Sequence, residues 1–253
     1  MIRLTATKIR VLSRRMSACY TRPLANGTNG ERKRLVIAID GPSGAGKGTI
    51  ARAVARELGY RHVDTGAMYR AVAWLAQERQ VPAEDETAIA ALAESAQLDV
   101  GDRVVIEGRD VTSAIRTAEM DRAAATVARM PTVRRVLVAR QHALGEDGGI
   151  VMEGRDIGTV VFPRADVKIY LDADPAERAR RRAGDPAHTG GRTALADVAT
   201  AMADRDRTDA TRTTSPLVIA PDAVHVDTTG VPVDDVVKTV MTVVEERGIR
   251  AKG

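Results

Sequence analysis

The chain has 253 residues, enough to bury a sizeable core as one large domain, or as a core with an inserted module, without disulfides or metal. Its net charge of +4 comes from the start: residues 1–30 carry Arg3, Lys8, Arg10, Arg14, Arg15 and Arg22 and no acid, and without those six the balance is −2. The slightly acidic body, in a chain with only one Phe, one Trp and four Tyr, offers neither a basic face nor rings for base stacking, so no nucleic-acid partner is expected.

The single cysteine, Cys19, allows no disulfide within the chain and suits a reducing compartment, the cytoplasm. His62, His142, His188 and His225 are scattered without ligand-like spacing, which argues against zinc. No apolar run approaches the roughly 20 residues of a membrane span, so no membrane partner is expected. Residues 1–33 read as a disordered basic extension in preference to an organellar transit peptide, because they lack a compact apolar signal core.

From Arg34 the pattern changes. RLVIAID (34–40) is a Val/Ile-rich run bounded by Gly41 and Pro42, as a strand buried on both faces would be. GKGTIARAVARELG (46–59) places Ile50, Val54 and Leu58 at a spacing of four and ends on glycine, which predicts an amphipathic helix. Between them lies GPSGAGKGT, a phosphate-loop pattern formed by Gly41, Pro42, Ser43, Gly44, Ala45, Gly46, Lys47, Gly48 and Thr49. Its usual Ser/Thr position is Gly48, with the hydroxyl displaced to Thr49. Such a loop turns backbone amides toward phosphate oxygens; Lys47 would meet the β- and γ-phosphates of ATP, and Thr49 would sit near Mg2+.

HVDTGAMYRAVAWLA (62–76) predicts a short strand, then a helix beginning at Asp64 and Thr65, with Arg70 one turn in as a seat for a second phosphate. LDVGDRVVIEGRDVTS (98–113) alternates as a small hairpin would, outside the βα rhythm, and reads as part of an inserted module. GIVME (149–153) and DVKIYLD (166–172) predict strands, and PAERARRRAGD (175–185) a helix start crowded with Arg178, Arg180, Arg181 and Arg182. Arginines packed so closely repel one another unless an anion is expected. RTALADVATAMADRDRTDATRTTSPL (192–217) predicts a long helix, AVHVDTTG (223–230) a late strand and VPVDDVVKTVMTVVEERG (231–248) a closing helix. Strand and helix alternation predicts an α/β fold: a parallel sheet between two helix layers, with phosphates at the strands' carboxyl ends.

Taken in order, GPSGAGKGT, DTGAMYR, EGRDIGTVVFP, VKIYLDA and RDRTDATRTTSPL resemble the bacterial-type cytidylate kinases, from about Arg34 onward. The resemblance implies a three-layer α/β/α P-loop kinase core over residues 34–253. It also implies a nucleoside-monophosphate-binding insert at about 85–127 and a short lid at about 176–192. It implies transfer of the γ-phosphoryl of ATP to CMP or dCMP with magnesium and small-molecule partners; a monomer is expected, although the sequence itself does not give the oligomeric state. Carried onto matching positions, Thr65, Arg70, Arg155 and Arg212 surround the acceptor phosphate, Arg205 and Asp209 hold the ribose, and Arg134 and Asp156 read cytosine. Lys47, Arg155, Arg178 and Arg181 are the catalytic candidates. EGRD occurs twice, at 107–110 and 153–156, and the resemblance makes the second copy the working one. Where the family usually has a serine six residues before Pro131, this chain has Ala125. Another small-molecule kinase of adenylate or shikimate type, or a non-catalytic nucleotide switch, would share the phosphate loop, but a GTP switch would need an N-K-x-D segment that is absent.

Overall fold

The computed structural model describes residues 34–185, 194–212 and 214–250; the basic extension and the end of the expected lid lie outside the described residues. Five parallel strands form the central sheet: β1 (Val36–Asp40), β2 (Arg61–Asp64), β6 (Ile150–Gly154), β7 (Val167–Asp172) and β8 (Val224–Asp227), in the order β2-β6-β1-β7-β8. The period-two alternation of each strand divides its side chains between two layers. Ile37, Ile39, Val151, Ile169 and Leu171 pack with Ile50 and Val54 of α1 (Lys47–Leu58) and with Val236 and Val240 of the C-terminal helix Val233–Arg250. Ala38, Ile150 and Met152 face the other way, onto Met68 and Val72 of α2 (Thr65–Glu78) and onto Val133 and Leu137 of the helix Pro131–Gly145. This is the expected three-layer sandwich, with both faces of the sheet dry.

The module between α2 and the helix Pro131–Gly145 contains α3 (Glu86–Ser95), three short antiparallel strands and α4 (Ala118–Val127). The predicted hairpin has a third strand: β3 (Leu98–Val100), β4 (Val104–Ile106) and β5 (Arg109–Asp110) pair in sequence order. The first EGRD supplies its turn, with Glu107 at φ 50° and Gly108 at φ 73°, the left-handed pair that suits a tight hairpin. The helix Pro131–Gly145 is α5, with proline in its first turn, where a missing N–H costs nothing.

After β7 come α6 (Pro175–Ala183), α7 (Leu195–Thr211), β8 and α8 (Val233–Arg250). Helix α7 is shorter than the 192–217 stretch predicted for it. It stops at Thr211; Arg212 is extended (φ −62°, ψ 138°), and the N–H of Leu217 returns to the carbonyl of Asp209 at 2.7 Å. Pro216 disfavours helical backbone at Ser215, which sits at φ 54°, so the helix ends before it.

Strand register sets up the cleft. Asp40 lies opposite Gly154 and Asp64 opposite Glu153, so the carboxyl ends of β1, β6 and β2 bring the phosphate loop, the second EGRD and the Asp64–Thr65 corner side by side. This is the edge where an open parallel sheet leaves a crevice. Gly41 is what lets the loop start there: at φ 147°, a Cβ on it would come within 2.0 Å of the Leu171 carbonyl oxygen. A Cβ on Gly59, which caps α1 at φ 65°, would meet nothing within 4 Å among the described residues. In urea unfolding, Gly59→Ala should therefore cost about 1 kcal/mol, whereas Gly41→Ala should cost several times more or prevent folding, since backbone cannot yield as a flexible side chain does.

Candidate active site: a cation-lined cleft at the sheet's carboxyl edge

A cleft of about 800 Å³ runs along this edge, floored by Ser43 to Thr49 and walled by side chains from α2, α4, α5, α6 and α7. Gly41 and Pro42 lie behind its surface. Gly46 is left-handed at φ 91° and precedes the first turn of α1, whose free amides and positive end face the cleft. Lys47 is buried, and its Nζ donates to the Pro42 carbonyl at 2.7 Å. Burial, then the neighbouring Arg155 guanidinium, pull its ammonium down to about 7. Thr49 is exposed to the cleft. Gly48, in the usual hydroxyl position, is close to Glu153: a Cβ there would lie 3.2 Å from Glu153 Oε1.

The arginines of α6 divide their work. Arg178 is buried behind the loop and does not line the cleft; it donates to the carbonyls of Ala173 (3.0 Å) and Ser43 (3.1 Å) and pairs with Asp206 at 2.5 Å. Arg181 does line the cleft, held by Glu177 (2.9 Å) and by the side chain (2.9 Å) and carbonyl (2.7 Å) of Thr228. Arg182 crosses to Asp121 of α4.

Opposite the loop, Thr65 opens α2, and its hydroxyl donates to the Glu153 carbonyl at 2.7 Å. Asp64 caps that helix through the Ala67 N–H (3.0 Å) and holds Arg70 at 2.8 Å, so the expected corner forms. Arg155 donates to Asp209 at 2.9 Å. Arg205 lies 3.4 Å and Arg70 3.8 Å from Asp121, the same carboxylate that meets Arg182. Burial and facing guanidinium groups hold Arg205 below the usual arginine range, and burial does the same for Arg182 and Arg212. Among the described residues, Nε of Arg70, Nε of Arg205 and Nη2 of Arg212 are buried donors without a hydrogen-bond partner. An unmet buried donor is costly unless a ligand supplies the acceptor.

The inner end of the cleft is formed by Arg134 of α5 and Asp156, both buried and bonded to each other. Arg134 also donates to the Tyr69 hydroxyl at 3.2 Å, and burial pushes that phenol up to about 12, so it stays protonated. Arg212 Nη2 is 3.9 Å from Asp156, and Ala124, Ala125 and Ala128 form an apolar wall. The first EGRD is elsewhere. Its Asp110 is an exposed residue at the end of β5, accepting from the Thr112 N–H (3.0 Å) and hydroxyl (2.6 Å), and its Glu107 accepts from the Gln97 N–H (2.7 Å).

Three acids of this region had no distinctive sequence signal. Asp121 reads as an ordinary first-turn helix acid. Glu153 reads as the end of a strand, yet it is buried against His62 at 3.0 Å, beside the loop. Asp40 also reads as a strand end, yet both its oxygens are used, and burial pushes its carboxyl up to about 6. Among the described residues no group of three or more His, Cys, Asp or Glu could hold a metal ion, and no helix is long and apolar enough to cross a membrane. Chemically, the cleft can take up two anionic groups, one on the loop and one on the facing arginines, and present a paired donor and acceptor to a flat polar ring.

A family model described as cytidylate kinase matches residues 37–246. A cytidylate kinase of Solibacter usitatus (strain Ellin6076) is 46% identical over 226 residues, covering 86% of this chain and 95% of that protein. One from Geobacillus kaustophilus (strain HTA426) is 45% identical over 221 residues, covering 85% and 99%.

Asp40 also generates a prediction about pH. Its folded pKa of about 6 exceeds the ordinary value of 3.8, so between these values the folded state binds more protons than the unfolded one, and stability falls as pH rises through that window. The whole effect is on the order of 3 kcal/mol at about 1.4 kcal/mol per unit. Thermal melts of the wild type and Asp40→Asn from pH 4 to 7 should show this decline as a difference between the two, confined to pH below about 6. A constant difference across the range would contradict it.

Proposed function

The chain belongs to the cytidylate kinase family, and on that premise we propose that its cleft moves the γ-phosphoryl of ATP onto CMP or dCMP, with the residues above in the following roles. The observation that carries this reading is the set of unmet buried donors on Arg70, Arg205 and Arg212, gathered opposite a phosphate loop in one cleft.

ATP lies with its β- and γ-phosphates on the loop amides of Ser43 to Thr49, and Lys47 leaves the Pro42 carbonyl for them. An incoming phosphate raises the Lys47 pKa again, because opposite charge favours the ammonium. Mg2+ would be held by the exposed Thr49 hydroxyl together with the nucleotide's own oxygens. That donor set suits a hard ion that keeps several waters and uses substrate phosphates as ligands, and among the described residues no cluster of acids forms a carboxylate cage. When bound, the ion neutralises charge on the transferring group.

The acceptor monophosphate sits among Thr65, Arg70, Arg155 and Arg212. Its second pKa is near 6, so at neutral pH it is mostly dianionic and already nucleophilic, and no general base is needed. The protein's task is to hold two anions in line and to spread positive charge over the group in transit. Lys47, Arg155 and Arg181 do this. Arg178 acts from behind, fixing the loop backbone at Ser43. Arg205 and Asp209 hold the ribose. Cytosine enters beside Ala125, where Asp156 accepts from its N4 amine and Arg134 donates to ring acceptors. Closure of the arginine-bearing segment around α6 over both substrates keeps water from the γ-phosphoryl. The reaction takes place on small molecules in the cytoplasm, by a monomer.

Coupled ADP release with ATP and a panel of acceptors tests the assignment. Turnover should depend on CMP or dCMP, be weaker with UMP and be absent with shikimate; ATP binding without acceptor-dependent turnover would contradict it. The two EGRD copies separate in the same assay. Asp156→Ala should lower kcat/KM for CMP by about 100-fold and leave UMP within severalfold, because uracil's carbonyl offers Asp156 nothing to accept. Asp110→Ala should leave the CMP to UMP ratio unchanged. Equal losses on both acceptors for Asp156→Ala would remove Asp156 from base reading.

A further inference from the structure

Asp156 stands at the entry of a single π-helical turn, Ile157–Val161, closed by the Val161 N–H to the Asp156 carbonyl (3.1 Å) and the Phe162 N–H to the Ile157 carbonyl (2.6 Å). The first amides of any helical turn have no partner within it. Here two consecutive ones, Ile157 and Gly158, are taken by a single carboxylate from another strand: Asp40 Oδ1 at 2.8 Å and Oδ2 at 2.7 Å. Asp40 is 5% exposed and is not part of the cleft wall, so it touches no substrate. Among the described residues its carboxylate hydrogen-bonds only to this turn.

The rest of the turn is held as firmly. A Cβ on Gly158 would lie 3.1 Å from Lys168 Cδ and 3.3 Å from Asp40 Oδ2, so the turn lies tight against both. Lys168 Nζ donates to the Pro163 carbonyl at 2.6 Å, and His142 Nε2 donates to the Val161 carbonyl at 2.7 Å. Asp40 thus fixes the start of a turn whose end is fixed independently. The residue whose direction depends on that start is Asp156. Asp40 is also the last residue of β1, but its carboxylate is spent on this turn and not on the phosphate loop that follows it.

We infer that Asp40 is a positioning residue for base selection: by accepting from the two amides that follow Asp156, it sets the direction in which the Asp156 carboxylate faces the acceptor's exocyclic amine. The inference rests on the reading of Asp156 as the group that recognises cytosine. A carboxylate is required because both partners are donors. An asparagine would accept from one amide and turn its own N–H₂ toward the other.

Two variants test it, measured as kcat/KM for CMP and for UMP, with Asp156→Ala alongside. Asp40→Asn should lower the CMP to UMP ratio by about tenfold, mainly through KM for CMP, since displacements of well under 1 Å are costly at a geometric contact. Gly158→Ala changes no charge and adds one methyl between the turn and Asp40; it should lower the ratio in the same direction, by less, and it decides the matter if Asp40→Asn does not fold. A fall in the ratio with UMP turnover near the wild-type value supports the inference. Wild-type ratios in the folded variants, whatever happens to Tm, overturn it while Asp156→Ala still lowers the ratio. If Asp156→Ala also keeps the wild-type ratio, the base-reading assignment fails and the inference fails with it.

Discussion

Lys47, Arg70, Arg155, Arg181, Arg182, Arg205 and Arg212 share one cleft, and cations gathered at such spacing in poorly solvated surroundings repel one another. The rest of the site is arranged around that repulsion. Asp64 holds Arg70, Asp209 holds Arg155, Glu177 holds Arg181, and Asp121 faces Arg182 and Arg205 together. These acids keep the cations in place without a ligand, yet leave donors unmet on Arg70, Arg205 and Arg212. In the proposed reaction the acceptor phosphate takes up the donors of Arg70 and Arg212 and the ribose that of Arg205, each in competition with the internal carboxylates. Binding is then an exchange of partners, and its free energy is a difference between two favourable states. Such a difference lets a highly charged product leave, and it concentrates the gain on the transition state, where charge on the transferring group is most spread.

The parallel sheet makes the exchange geometrically possible. Because β2, β6 and β1 end in register, the Asp64 corner, the second EGRD and the phosphate loop emerge as neighbours. Side chains separated by more than a hundred residues therefore meet without long loops. Asp40 ties the last two together from below, and Arg178 ties α6 to the loop backbone. The two buried braces stand at opposite ends of the cleft, one behind the Arg134–Asp156 pair and one behind the phosphate loop.

The parts legible in the sequence were those whose physics is local. The phosphate loop announces itself because left-handed glycines, a lysine and a hydroxyl must fall at fixed spacings. The strands announce themselves because burial on both faces demands an unbroken apolar run. The roles proposed for Arg134 and Asp156 come from family resemblance; nothing in the spacing of two residues 22 positions apart reveals that they bond. The arginine cluster was visible as a cluster, but its division was not: Arg178 and Arg181 are one turn apart, and only the packing of α6 on the loop sends one behind the cleft and the other into it. Asp121 and Asp40 were unreadable for the same reason, since a helix acid and a strand-end acid acquire meaning only from the elements that fold against them. The end of α7 was overextended because the charge pattern continues past the point where Pro216 stops the helix.

The proposed complex has a cytosine nucleotide in this cleft, its phosphate on the arginines and its base on the second EGRD. A crystal structure with CMP and a non-hydrolysable ATP analogue tests it most directly. The CMP phosphate should lie within hydrogen-bonding distance of Arg70 and Arg155, the cytosine amine on Asp156, and the Lys47 ammonium should have moved from the Pro42 carbonyl onto the donor's phosphates. A base that turns its amine away from Asp156, or a Lys47 still bonded to Pro42 with the donor in place, would contradict it.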